Sequence, residues 1–161
     1  MPRTPPPVLY TPAQRARRDA TRWTLVQGVL APVQFAIFLM SLYLVMASLS
    51  SGLHTDWALT SVVIKTLVLY AIMVTGSIWE RDVFGKWLFA PAFFWEDVVS
   101  MGVIALHTAY LAAAFADLLA PRELMLLALA AYAAYVINAA QFLWKLRMAR
   151  LEAPPRPEFA G

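Results

Sequence analysis

The sequence predicts an all-α integral membrane protein, a four-transmembrane-helix bundle with disordered proline-rich ends, and three observations lead there. Hydrophobic residues make up 61% of the 161 and charged residues only 14%, far beyond the apolar share of about 45–50% in a soluble domain. Four apolar runs each approach the ~20 residues needed to cross a bilayer. Basic residues gather at one set of ends of these runs, which is how membrane orientation is written into a sequence.

The elements follow in chain order. Residues 1–22 form an N-terminal arm whose opening, MPRTPPPVLYTP, is proline-rich, lacks apolar periodicity and is expected to be extended or disordered. A transmembrane domain over 23–147 holds spans at 25–49, 57–79, 92–115 and 123–144. The links between them, SSGLHTD, ERDVFGK running to Pro91, and ADLLAPRE, are too short for a second domain, and Pro121 suits the first turn of the fourth helix. Residues 148–161 form a tail ending in APPRPEFAG, similar in kind to the arm. The first span is longer than a signal-peptide core and its basic flank lies far from the start, so it reads as a retained span. No internal repeat points to an inverted-repeat transporter.

Orientation follows from where the cations fall. Five arginines precede the first span, Arg81 and Lys86 lie between the second and third, and Lys145, Arg147, Arg150 and Arg156 follow the fourth. The opposite links hold only Arg122. Both termini are therefore expected in the cytoplasm.

Several chemistries are excluded. Without cysteine there is no disulfide, thiolate metal site or cysteine nucleophile. No basic stretch with interleaved aromatics suggests nucleic acid, and the net charge of +3 is small. The chain lacks a Glu-x-x-His pair, paired helical histidines, GxGxxG, a P-loop and a serine elbow. What remains is acid–base chemistry with no bound cofactor and no metal of the protein's own.

The polar residues within the spans carry that chemistry. Charge in hydrocarbon costs a few kcal/mol or more and persists where it has a partner or a task. Glu96 and Asp97 enter about one turn below the cytoplasmic surface, Gln34 lies roughly 15 Å in, and Asn138 and Gln141 roughly 9–14 Å, at 1.5 Å per helical residue. Lys65 and His107 lie deepest, at similar depths. At about 100° per residue, Glu96, Ser100 and His107 share a stripe with Asp97 one step away; Gln27, Gln34 and Ser41 repeat every seven residues; Asn138, Gln141 and Lys145 share a sector. Each stripe can face a common interior. Angular position ranks Glu96 above Asp97 as the acid. Trp95, with Phe93, Phe94, Trp79 and Trp87, marks an interfacial aromatic belt that also makes a flat wall for a conjugated ring. Against these roles stand plain structural ones: hydrogen-bond glue for Gln27, Ser41 and Gln141, snorkelling for Lys65, a helix-entry charge for Asp97 and packing for His107.

The segments WTLVQGVLAPVQF, KTLVLYAIMVTGSIWE, LFAPAFFWED, ALHTAYL and AAYVINAAQF, in that order, resemble the 3-vinyl (bacterio)chlorophyllide hydratase family. The resemblance runs from about Tyr10 to Arg150. It implies a small multi-pass protein of the bacterial photosynthetic inner membrane that adds water to the 3-vinyl group of chlorophyllide a or a related magnesium tetrapyrrole, among other pigment-biosynthesis enzymes and with scope for a homo-oligomer. It carries over no active-site residue. Set against that substrate, the residue-by-residue reading makes Glu96 and Asp97 the catalytic candidates and His107, Lys65, Gln34, Asn138 and Trp95 the substrate-binding ones. Hydrating a vinyl group needs a proton for its terminal carbon and water for its inner carbon, which asks for a carboxylic acid in an apolar site. A neutral His107 is a candidate axial ligand to the substrate magnesium, and Lys65 a candidate for its propionate. Two other classes use the same residues: a non-catalytic pigment-binding or assembly subunit needs the histidine and the aromatic wall without the acids, and a small transporter would couple protons through Glu96.

Overall fold

The computed structural model describes residues 8–152 and contains five helices: α1 (Pro12–Ala20), α2 (Arg22–Ser51), α3 (Thr55–Phe84), α4 (Phe94–Phe115) and α5 (Pro121–Leu151). The last four are long and apolar enough to cross a membrane, and they match the four expected spans. Among the described residues there is no strand. Helices are the natural solution, because backbone groups in lipid must be satisfied within the segment. Gly52 and Gly85 end α2 and α3 in left-handed conformations at φ 70° and 78°, where a Cβ would be strained. Pro121 opens α5, and the Glu123 carboxylate accepts the Ala120 N–H at 2.9 Å.

The bundle is built from two hairpins, α2 with α3 and α4 with α5, which pack more extensively within themselves than on each other. On α2 the buried positions are Gln34, Phe38, Ser41, Val45 and Ser48, a four-three alternation that keeps one narrow seam inward. Large apolar side chains such as Tyr43, Trp57, Val74 and Ile137 face outward, as lipid allows. Lipid tails are as apolar as leucine, so close packing and polar contacts hold the helices together. Phe38 of α2 packs on Tyr132 and Tyr135 of α5 at ring distances of 5.3 and 4.9 Å. Polar bridges join the hairpins: Ser41 to Tyr132 at 2.6 Å, Lys65 to His107 at 2.9 Å, Tyr70 to Thr108 at 2.6 Å, and the Tyr110 hydroxyl to the Leu59 carbonyl at 3.0 Å. Each such bond contributes roughly 0.6–2 kcal/mol in a membrane.

The arm holds an element the spans do not foretell. Thr11 and Gln14 cap α1 reciprocally, each side chain accepting the other's backbone N–H at 3.2 and 2.9 Å, and Pro12 takes the first helical position. Tyr10 is buried, stacked on Phe84 at 5.7 Å and tilted against Phe93 at 6.4 Å. Arg17 donates to the Val83 carbonyl and Thr21 to the Asp82 carboxylate. At the other end of the chain, the Glu152 carboxylate accepts the Leu9 N–H at 2.8 Å, and its carbonyl accepts from Arg15 at 3.4 Å. The opening expected to be extended or disordered, residues 1–12, is described only from residue 8, where Tyr10 is packed and α1 begins at Pro12; residues 1–7 and the tail at 153–161 lie outside the described residues. Glu152→Ala removes the Leu9 acceptor, a loss of about 1–2 kcal/mol that corresponds to about 5–30-fold more open arm. Trypsin cleavage between Arg15 and Arg18 is expected to accelerate accordingly; an unchanged rate would assign the anchoring to the remaining contacts of Tyr10, Arg15, Arg17 and Thr21.

Candidate active site

The polar interior falls into two layers. The deeper one centres on Lys65 of α3 and His107 of α4, both 0% exposed. His107 Nδ1 donates to the Val103 carbonyl at 2.8 Å, which leaves Nε2 as the acceptor for Lys65 Nζ at 2.9 Å. The ammonium nitrogen also lies 3.9 Å from the centre of the Tyr135 ring and 5.4 Å from that of Tyr132. Among the described residues no carboxylate pairs with Lys65. In this arrangement neither ring nitrogen of His107 offers a free lone pair; a magnesium ligand role requires Lys65 to let go of Nε2. Gln34 is buried, and its Oε1 has no hydrogen-bond partner.

The second layer lies at the end of the bundle beside α1 and brings three carboxyl groups together. Glu96 and Asp97 open α4, where carboxylates favour the positive end of the helix dipole. Both are buried, so adjacent residues face inward, Asp97 toward α3 and Glu96 toward α5. Asn138 of α5 holds this turn: its Nδ2 donates to the Glu96 carbonyl at 2.9 Å and its Oδ1 accepts from Ser100 at 3.0 Å. Lys145, two turns further along, approaches Glu96 Oε2 at 3.7 Å and donates to the Ala92 carbonyl at 2.6 Å. Glu96 Oε2 is buried with no hydrogen-bond partner.

Asp97 meets a residue that the sequence does not mark out. Glu80, near the end of α3, is buried, and its carboxyl lies beside that of Asp97. Two consecutive amides of the α3–α4 loop close over this pair: Phe89 N–H donates to Asp97 at 2.7 Å, and Ala90 N–H donates to Glu80. Phe89 takes a left-handed φ of 60° to aim them, an uncommon conformation for a bulky residue. Behind the loop, Phe93 packs against Trp79, Phe84 and Phe142 at 5.7–6.0 Å.

Trp95 stands apart, 68% exposed on the outer face of α4. Phe94 meets it edge-on at 5.4 Å and Phe89 in turn is tilted against Phe94 at 5.8 Å, and Trp87 lies under the Arg81 guanidinium. The site residues thus divide three ways: Glu96, Asp97 and Asn138 together, Lys65 with His107 deeper, and Trp95 outside. Two depressions mark the surface, of about 360 and 250 Å³. Neither is lined by the carboxyl groups, which the loop covers in this conformation.

A buried acid cluster at a membrane boundary is suited to moving protons to an apolar substrate, and comparison with known proteins points the same way. Residues 10–148 match the family described as 2-vinyl bacteriochlorophyllide hydratase. The chain is 66% identical over 145 residues to the 2-vinyl bacteriochlorophyllide hydratase of Cereibacter sphaeroides, covering 89% of each chain. It is 64% identical over 146 residues to the protein of that name from Rhodobacter capsulatus, covering 90% of this chain and 84% of the relative. No solved structure matches it significantly. With a family match over residues 10–148 and relatives at 64–66% identity, the chain belongs to the 2-vinyl bacteriochlorophyllide hydratase family.

Proposed function

We propose that this protein adds water across the ring-A vinyl group of chlorophyllide a or a related bacteriochlorophyllide, giving a 1-hydroxyethyl group. The vinyl carries the number 3 in the systematic scheme and 2 in the older one. The observation that carries this reading is the cluster of buried carboxyl groups at the boundary of the spans, in a chain of this family. Glu96 and Asp97 do the acid–base work. Asp97, whose carboxyl lies beside that of Glu80, is better placed as the proton donor, while Glu96, with an unsatisfied buried oxygen, is suited to receive a water molecule. Asn138 fixes the turn that aims both. Trp95, with Phe94 and Phe89, supplies the outer surface against which the flat ring rests before the loop gives way. Lys65, His107 and Gln34 stand deeper along the same interior and hold the polar edge of the macrocycle.

The direct test uses purified protein in detergent with chlorophyllide a. A product heavier by one water is expected; unchanged pigment with a folded protein would reject the hydration.

The setting is the inner, photosynthetic membrane, with both termini in the cytoplasm, association into homo-oligomers, and contact with other enzymes of pigment synthesis. Orientation rests on the cation distribution. A reporter fused to the C-terminal end of the chain is expected to be active only if it works in the cytoplasm. Activity of a periplasm-dependent reporter there would reverse the topology.

A further inference from the structure

We infer that Glu80 and Asp97 act as one acid, sharing a single proton that is delivered to the substrate vinyl group. The inference rests on the hydration reading and adds to it a residue outside the spans' apparent polar stripes.

The geometry carries it. Glu80 comes from α3 and Asp97 from α4, and they are 4% and 5% exposed. The consecutive Phe89 and Ala90 amides hold the two carboxyl groups side by side; away from water and without a cation between them they resist ionising together, so the pair is expected to keep one proton and to titrate as a unit. Among the described residues no lysine or arginine forms an ion pair with either. The ionisable groups beside the pair are Glu96, within electrostatic reach of Asp97, and behind it Lys145, 3.7 Å from Glu96. The Phe89 and Ala90 amides satisfy the outer oxygens without supplying a charge. An independent observation adds a place for the second reactant: Glu96 Oε2, in a residue 6% exposed, is an acceptor with no donor. A water molecule held there would be activated by the carboxylate.

The step balances. The proton leaves the Glu80–Asp97 pair for the terminal CH2, whose π electrons form the new C–H bond and leave a cation at the inner carbon, delocalised into the macrocycle. Water held at Glu96 forms the C–O bond at that carbon. Its surplus proton passes to Glu96 and back to the pair, which ends as it began.

Three single variants, two double variants and two readouts test this. Glu80→Gln keeps an oxygen for the Ala90 N–H, and Asp97→Asn one for Phe89, so the loop stays closed; thermal unfolding checks this. Each is expected to slow hydration about 10²–10⁴-fold, the usual contribution of a general acid. The double variant is expected to be no slower than the slower single, because the two residues are one unit. Glu96→Gln combined with Asp97→Asn is expected to be slower than either. The second readout needs no substrate: the wild-type protein is expected to show an infrared band of a protonated carboxyl that shifts in D2O, disappears in Glu80→Gln and Asp97→Asn, and persists in Glu96→Gln. Near-normal turnover in Glu80→Gln, losses that multiply in the double variant, or absence of the band in the wild type would each overturn the shared proton. Failure of the wild type to hydrate pigment while the band is present would instead reject the reaction.

Discussion

Glu96→Gln is expected to slow vinyl hydration about 10²–10⁴-fold with pigment affinity unchanged. The variant removes the negative charge that polarises water and keeps the side-chain volume. Its effect on stability is expected to be small. The contact with Lys145 is long at 3.7 Å, and Lys145 is partly exposed, a setting in which an ion pair contributes about 0–1 kcal/mol. The Asn138 bond to this turn goes to the Glu96 backbone carbonyl and survives the change. Rate and fold therefore separate. Single-turnover measurements with saturating pigment, alongside pigment titration, decide the matter: turnover near the wild-type value would remove Glu96 from the mechanism, and a rate loss that tracks weakened binding would make it a substrate contact.

The second large effect concerns stability, at Lys65 and His107. His107→Leu deprives Nζ of its hydrogen-bond acceptor in the middle of the bundle, where no water replaces it. The expected loss is about 1–3 kcal/mol for an unsatisfied polar group, rising to about 3–5 kcal/mol where the group is charged. Lys65→Met leaves only the imidazole acceptor unpaired and is expected to cost less, because it also removes the few kcal/mol of holding an amine in hydrocarbon. The double variant Lys65→Met with His107→Leu replaces both partners by apolar groups and is expected to be more stable than His107→Leu alone. Thermal unfolding in one detergent measures all three. If the double loss equals the sum of the singles, the 2.9 Å contact carries no coupling energy. A double variant that folds and no longer binds pigment would assign the pair to substrate rather than to stability.

The spans were legible because hydropathy over some twenty residues is set by the bilayer itself; the structure trims one of the four by two residues and extends the other three, at most by seven residues at the end of α5. The inward stripe of Glu96, Ser100 and His107 was legible from helical period, and Lys65 and His107 from their matching depth. Their contact was not, because period fixes an angle on one helix and leaves the rotation of its neighbour free. Asp97 lies one step off the stripe, yet it is buried, since the α3–α4 loop and the end of α3 cover that side of the helix. Glu80 was hidden by its neighbours: within Trp79-Glu80-Arg81-Asp82 it reads as the polar end of a span. A signal existed, for Val62, Leu69, Gly76 and Val83 repeat every seven residues, and Glu80 lies four beyond Gly76 on that seam. α1 likewise announced itself in Thr11-Pro12-Ala13-Gln14, a capping sequence masked by the prolines before it.

The anchoring of the arm has a consequence for how the protein is made. Leu9 and Arg15 find their partners in Glu152, up to 143 residues further along the chain. During synthesis, α1 emerges first and α2, α3 and α4 can enter the membrane in turn, but the final acceptor for the arm does not exist until α5 has been completed. Arg17, Thr21 and Tyr10 can dock on α3 and the start of α4 before then, but the Glu152 latch closes only once the last span is in place, so its closure records that insertion is finished.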